Sequence, residues 1–314
     1  MNENATNGHE ILISADSHVM EPHDLWEKRV PESMRGSAPH FEPIPVGQSF
    51  QRHPGGQDPN ARIKEMETDG LTAEVLYPTL ALSLYALDDA RMQEACFRVY
   101  NDWLIDYCKV APKRLIGTGA ISLYDSEFGI KEMERCKKEG LRGVTIWQVP
   151  HPDIPFHSSH YEKFWNAVED LEMPISLHIL TGHSYFKDPN RRKGVEHYRG
   201  SVNLKLLDNQ NALFDFIFYG ILDRHPRLKL VVVEAEIGWF RSCCSSGITT
   251  TAASAIATRR RSTKTRANIS SGRFMRRSST TRSAGAVSNG GAPTTACGRT
   301  TSRTRTRPGP TRAR

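Results

Sequence analysis

No aspartate or glutamate follows Glu236 in this chain of 314 residues, although it carries 35 acidic side chains up to that point. Residues 241–314 also lack Leu, Trp, Tyr, Gln and His, yet hold 16 of the 42 Lys and Arg residues. The overall charge of +7 therefore joins two unlike parts, a body of net −9 over residues 1–240 and a tail of +16. A segment so poor in large apolar side chains has little with which to offset the entropy of ordering. The chain divides into a folded domain at residues 10–240 and a low-complexity Arg/Thr/Ser-rich tail at 241–314, expected to be disordered or out of frame.

Three other absences narrow the function. The six cysteines (Cys96, Cys108, Cys136, Cys243, Cys244 and Cys297) include no Cys-x-x-Cys pair, which excludes the common zinc-ribbon and dithiol spacings and predicts free thiols in a reducing, cytoplasmic setting. No apolar run approaches the roughly 20 residues that span a bilayer, and Met1–Glu10 lacks an apolar signal core, so no membrane partner is expected. Glycine is missing from Ser14–Pro22, just after the first strand candidate, which removes the dinucleotide-binding fingerprint of an open doubly wound sheet.

What is present alternates. Strand candidates at Ile11–Asp16, Ala73–Tyr77, Leu115–Ile121, Gly143–Trp147, Pro174–Leu180 and Leu228–Glu234 are interleaved with helix candidates at Ala61–Asp69, Asp88–Lys109, Ser126–Lys138, Tyr161–Leu171 and Ala212–Leu222. Residues 28–60 read as an irregular excursion rich in Pro, Gly and charge. Alternation without hairpin turns predicts a parallel sheet. About six strand–helix units suit an incomplete (β/α)8 barrel, with a doubly wound sheet as the alternative.

In such a barrel the chemistry sits at the C-terminal ends of the strands. The first strand ends in Asp16-Ser17-His18, and residues two apart share a face, so Asp16 and His18 could bind one divalent ion, with Glu21 just beyond. The competing role is a turn in which Asp16 bonds backbone amides. His178 lies near the end of the fifth strand, where it is either a metal ligand or a hydrogen-bonded core residue; His183 follows in the loop. Glu234 and Glu236 end the sixth strand on one face, as ligands or as partners of neighbouring cations. Asp16, His18, His178 and a glutamate, Glu234 first, make a mixed nitrogen and oxygen set that suits Zn²⁺ or a similar ion. Tyr77 and Trp147, at strand ends, could stack on a flat substrate or simply pack the barrel, and His183 is the third candidate for substrate binding.

The run Ile13-Ser14-Ala15-Asp16-Ser17-His18-Val19-Met20-Glu21-Pro22 resembles the opening strand of the amidohydrolase superfamily. The branch is similar to aminocarboxymuconate-semialdehyde decarboxylase. Leu76-Tyr77-Pro78-Thr79, Arg114-Leu115-Ile116-Gly117, Leu141-Arg142-Gly143, Pro174–Gly182 and His225-Pro226-Arg227-Leu228 fit in order and spacing, so the resemblance covers about residues 10–240. It implies a metal-dependent hydrolase acting on a small carbonyl or carboxylate substrate, or a carboxy-lyase of the same family, with a homodimer as a permitted assembly. It places the strand-five metal histidine on His178 and a strand-six ligand on or near Glu234. It also calls for a metal-binding aspartate after strand eight that moves the proton of the attacking water. These 314 residues have no such aspartate, so the catalytic residue is unknown and activity is expected to be impaired.

The genetic code offers a reason. Pairing the last base of each codon with the first two of the next, residues 241–254 permit Phe-Leu-Leu-Gln-Gln-Trp-Asp-Tyr-Tyr-Tyr-Arg-Arg-Phe, and Gly291 to Arg305 permit a stretch containing Trp-Ser-Asn-Asp-Phe-Pro-His. A frameshift near Phe240 would explain both the missing aspartate and the tail, and the chain could then be the product of a damaged gene. Strands seven and eight would be lost, leaving strands one and six with open, aggregation-prone edges. A rival function is non-specific nucleic-acid or acidic-surface binding by residues 259–314, where Phe274 is the single aromatic.

Overall fold

A computed structural model describes residues 11–43, 53–187, 207–236, 238–240 and 242, together with the backbone of 274–276. The strands are β1 (Ile13–His18), β2 (Ala73–Tyr77), β3 (Leu115–Ala120), β4 (Gly143–Ile146), β5 (Ile175–His178), β6 (Leu230–Val233) and β7 (Phe274–Arg276). They form one sheet in sequential order, with every neighbouring pair parallel. Helices α1 (Leu25–Arg29), α2 (Pro59–Asp69), α3 (Ala90–Cys108), α4 (Ser126–Lys138), α5 (Glu162–Asp170), α6 (Asn209–Phe218) and α7 (Ile221–Arg224) lie between strands. The sheet is that of an incomplete (β/α) barrel, in which strand order follows chain order.

Local chemistry explains the main elements. Asp58, Asp89 and Asp125 each accept backbone N–H bonds at the start of α2, α3 and α4, filling donors that a helix leaves open. Gly70, at φ 71°, ends α2 in the left-handed conformation that glycine adopts without steric cost. On β3, a Cβ at Gly117 would meet Leu141, Cys108 and Leu104 at 2.8–3.0 Å, so the missing side chain lets the helices close on the sheet. The main core lies between sheet and helices, around Phe97, Tyr100, Leu104, Phe164, Trp165 and Phe216. A smaller cluster, Tyr77, Val231 and Val233 with Val75, joins β2 to β6.

Two expectations need correction. Ala212–Leu222 is not one helix: α6 starts at Asn209, and Gly220 at φ 71° separates it from α7. Phe274–Arg276, within the tail, pairs with Leu230–Val232. β6 therefore lacks the open edge expected of it, because its backbone donors and acceptors recruit a short strand. β1 pairs with β2 alone among the described residues. The frameshift and nucleic-acid readings, and Cys243, Cys244 and Cys297, otherwise fall outside the described residues. Cys96, Cys108 and Cys136 are buried free thiols. No described helix is long and apolar enough to cross a membrane.

One buried ion pair fastens β1 to its neighbours. Arg62 Nε on α2 donates to Glu74 Oε2 on β2 at 2.5 Å, and Arg62 Nη1 donates to the His18 carbonyl at 2.7 Å. Ser17 Oγ donates to the other Glu74 oxygen at 3.2 Å. Removing one partner strands the other charge away from water. Arg62→Met is expected to cost about 3–5 kcal/mol, read from the urea midpoint, with most of it recovered in R62M/E74M. A single variant within about 1 kcal/mol of wild type would contradict this role.

Candidate metal centre

Asp16 and His18 project from the same face of β1, and His178 is the last residue of β5. Glu234 follows β6 at φ 56°, a left-handed conformation that costs a non-glycine residue on the order of 1–3 kcal/mol and here bends the chain where the strand meets the site. Leu180, two residues after His178, is left-handed too, at φ 72°. One ligand atom from each of Asp16, His18, His178 and Glu234 lies within 4.8 Å of the others. The four sit at the ends of strands β1, β5 and β6, where a barrel gathers its functional groups.

The histidines are fixed in one tautomer. His18 Nδ1 lies 2.7 Å from the Pro78 carbonyl and His178 Nδ1 lies 2.7 Å from the Ile179 carbonyl. A carbonyl oxygen only accepts, so both Nδ1 atoms carry the proton and donate. Both Nε2 atoms then present lone pairs, and they face each other at 3.3 Å. Asp16 Oδ1 and Glu234 Oε1 stand 3.8 and 3.6 Å from His18 Nε2. Four electron-rich atoms in one place repel one another unless a cation lies among them.

A proton could serve, but only by creating an imidazolium. His178 is 1% exposed, and burial, with His18 beside it, pushes its pKa down to about 4. A metal ion needs no such charge on the ring. Ligand bonds of about 2.1 Å place neighbouring donors of a tetrahedral ion about 3.4 Å apart, close to the observed Nε2 separation. The carbonyl bonds to both Nδ1 atoms are the outer contacts that orient metal-binding imidazoles. On chemistry and spacing the residues fit a divalent ion.

Not every candidate joins this group. Glu21, expected just beyond the pair on β1, is fully buried and turns to the backbone N–H groups of Thr79, Leu80 and Ala81. Glu236 is exposed and outside the cluster. Tyr77 packs its ring 5.2 Å from that of His178, and its hydroxyl is bonded to Ser176 Oγ at 3.1 Å. Trp147 is buried in the main core, edge-on to Tyr124, so packing accounts for it. His183 is drawn elsewhere because its backbone N–H donates to Val149 O. Its Nε2 lies 2.9 Å from Asp88 Oδ1 and 2.6 Å from Lys187 Nζ, with the His151 ring 4.4 Å away. Asp88, His151 and His183 form a second group from three loops, a grouping that no sequence spacing announced. A cavity of about 650 Å³ reaches His18 and Thr79, with Arg62, Met66 and Glu74 in its wall.

Comparisons with known proteins agree with this placement of the strands. The amidohydrolase family model matches residues 15–249. A gamma-resorcylate decarboxylase from Rhizobium sp. is 26% identical over 223 residues, 65% of this chain and 62% of that protein. The chain spans 53% and 62% of the length of two such decarboxylases. Among solved structures, an amidohydrolase from Mycobacterium avium subsp. paratuberculosis has a TM-score of 0.63 at 18% identity, covering 79% of this chain and 78% of its own. A 5-carboxyvanillate decarboxylase from Novosphingobium aromaticivorans, solved with manganese and 4-hydroxy-3-methoxy-5-nitrobenzoic acid, has a TM-score of 0.57 at 18% identity, covering 78% and 73%. These two likenesses establish the shared fold.

The depressed His178 value has a sign that can be tested without metal. Its folded-state pKa lies below that of the unfolded chain, so its contribution is present above about pH 6.5 and is lost as pH falls toward 4. In chelating buffer, wild type is expected to lose on the order of 3 kcal/mol more than H178F between pH 7 and 4, by urea midpoints. Parallel curves for the two proteins would contradict a buried neutral imidazole.

Proposed function

The chain belongs to the amidohydrolase family, and from that premise we propose that it binds one divalent ion through Asp16, His18, His178 and Glu234 and acts as a carboxy-lyase on an aromatic or unsaturated carboxylate. The facing Nε2 lone pairs of His18 and His178, flanked by two carboxylates, carry the metal part of this reading. The reaction follows from the relatives, several of which are decarboxylases of phenolic acids. Hydrolysis, the first expectation from the sequence, is the weaker reading because it rests on the breadth of the family alone. Zinc likewise yields first place to manganese, which accompanies one relative and suits a set with two carboxylates.

When bound, the ion would supply a positive charge for the substrate carboxylate and an adjacent oxygen. The chain's own residues do the rest. His18 and His178 present Nε2 as the ligand atom because carbonyls hold their Nδ1 protons. Asp16 and Glu234 offset the charge of the ion in a half-buried setting. Tyr77 backs the histidine rings with an apolar face, its hydroxyl already engaged by Ser176. In decarboxylation a proton is added at the carbon bearing the carboxylate, the C–C bond breaks, its electron pair returns to the π system and CO₂ leaves. The metal-binding aspartate that the resemblance calls for after strand eight has no counterpart after Glu236, so turnover should be slow even where metal and substrate bind.

The test is a chelated preparation reloaded with Mn²⁺ or Zn²⁺ and offered gamma-resorcylate, 5-carboxyvanillate and a panel of esters and lactones. Expected is slow, metal-dependent CO₂ release from a phenolic acid, reduced at least about 100-fold in D16N. Metal-dependent hydrolysis of an ester or lactone without CO₂ release would overturn the carboxy-lyase reading, and activity unchanged by chelation would overturn the metal reading.

A further inference from the structure

Glu21 is a carboxylate that the metal centre does not use directly. It is fully buried, three residues beyond His18. Its Oε2 accepts from Thr79 N at 3.2 Å and Leu80 N at 3.0 Å, and its Oε1 accepts from Ala81 N at 3.1 Å. Those amides open the 3-10 helix Leu80–Ala86, where N–H donors would otherwise be left without partners.

The Thr79 amide belongs to the same peptide unit as the Pro78 carbonyl, and that carbonyl accepts the His18 Nδ1 proton at 2.7 Å. One peptide plane is thus bonded at both ends, its N–H to a carboxylate and its C=O to a histidine. A carboxylate on the N–H pulls the peptide toward its charge-separated form and makes the carbonyl oxygen a stronger acceptor. That strengthens the Nδ1–H bond and raises the electron density that Nε2 can offer. Direct carboxylate–histidine pairs around metals act in the same way. Thr79 Oγ1 adds a bond to Val19 O at 2.7 Å, and Val19 N donates to Tyr77 O at 3.0 Å, so the peptide is held against the end of β1.

We propose that Glu21 is a positioning residue for His18, acting through the Pro78–Thr79 peptide to fix the imidazole and to strengthen Nε2 as a ligand. The inference rests on the metal reading above and adds to it a residue that no ligand spacing would select. The competing role is purely structural, the capping of the 3-10 turn, and the two separate on metal affinity.

Mn²⁺ affinity is measured by calorimetry on the full chain for wild type, E21Q and E132Q. Glu132 is an equally buried carboxylate beneath β3, bonded to Asn101 and Arg135 and remote in sequence from every proposed ligand. E21Q is expected to weaken Mn²⁺ binding about 10–100-fold. E132Q should lower the melting temperature yet hold affinity within about twofold of wild type. Co²⁺ loading gives a second readout, with the visible ligand-field band shifted in E21Q and unmoved in E132Q. Where E21Q does not fold, E21D, which keeps the charge but retracts it by one methylene, should give an intermediate loss of affinity. Equal affinity in wild type and the Glu21 variant, or an equal loss in E132Q, overturns the relay and leaves the metal centre standing. No Mn²⁺ or Co²⁺ binding by wild type overturns the metal reading itself, and the relay with it.

Discussion

Two imidazoles held nose to nose, each with its outer nitrogen tied to a backbone carbonyl, are the constraint on which the proposed metal centre depends. His18 and His178 have no freedom to exchange tautomers while the Pro78 and Ile179 carbonyls stay in place. The Nε2 atoms lie 3.3 Å apart with two carboxylates at their side, the grouping from which the metal reading is argued. On the proposed reading, an ion bound there would add its binding free energy to the folding free energy.

The scaffold explains how residues 160 positions apart come to face each other. Parallel strands in sequential order put every strand's C-terminal end at the same rim, and the register His178↔Val233 sets β5 and β6 level where the ligands leave the sheet. The left-handed turns at Leu180 and Glu234 then bend the chain out of its strands within two residues of the cluster. Strain of this kind persists only where surrounding packing enforces it, and Leu177 and Val233, in the strands that lead into these turns, are fully buried. On the other flank, the Arg62–Glu74 pair and the Glu21 carboxylate hold β1 to α2 and to the turn after β2, so His18 is fixed from both sides.

Much of this was legible from residue order. The period-two spacing of Asp16 and His18, and the position of His178 at the end of a short apolar run, are local facts, and local facts survive folding. Strand and helix order was legible for the same reason, since each element's apolar period reflects one buried face. Groups assembled from separate loops were not. Asp88, His151 and His183 meet through loops after β2, β4 and β5, and nothing in their spacing foretells it. The role of Glu21 was not legible either, because nothing in residue order shows that the amides of Thr79–Ala81 claim it. The break at Gly220 was hidden by the strongly apolar side chains on both sides of it, and β7 by a composition that argues against any strand.

Crystals grown with Mn²⁺ and measured at the manganese absorption edge test the organising claim most directly. One anomalous peak per chain is predicted, within ligand-bond distance of both His18 Nε2 and His178 Nε2 and in contact with Asp16 and Glu234. An absent peak, or one seated elsewhere while the two Nε2 atoms still face each other, would contradict it.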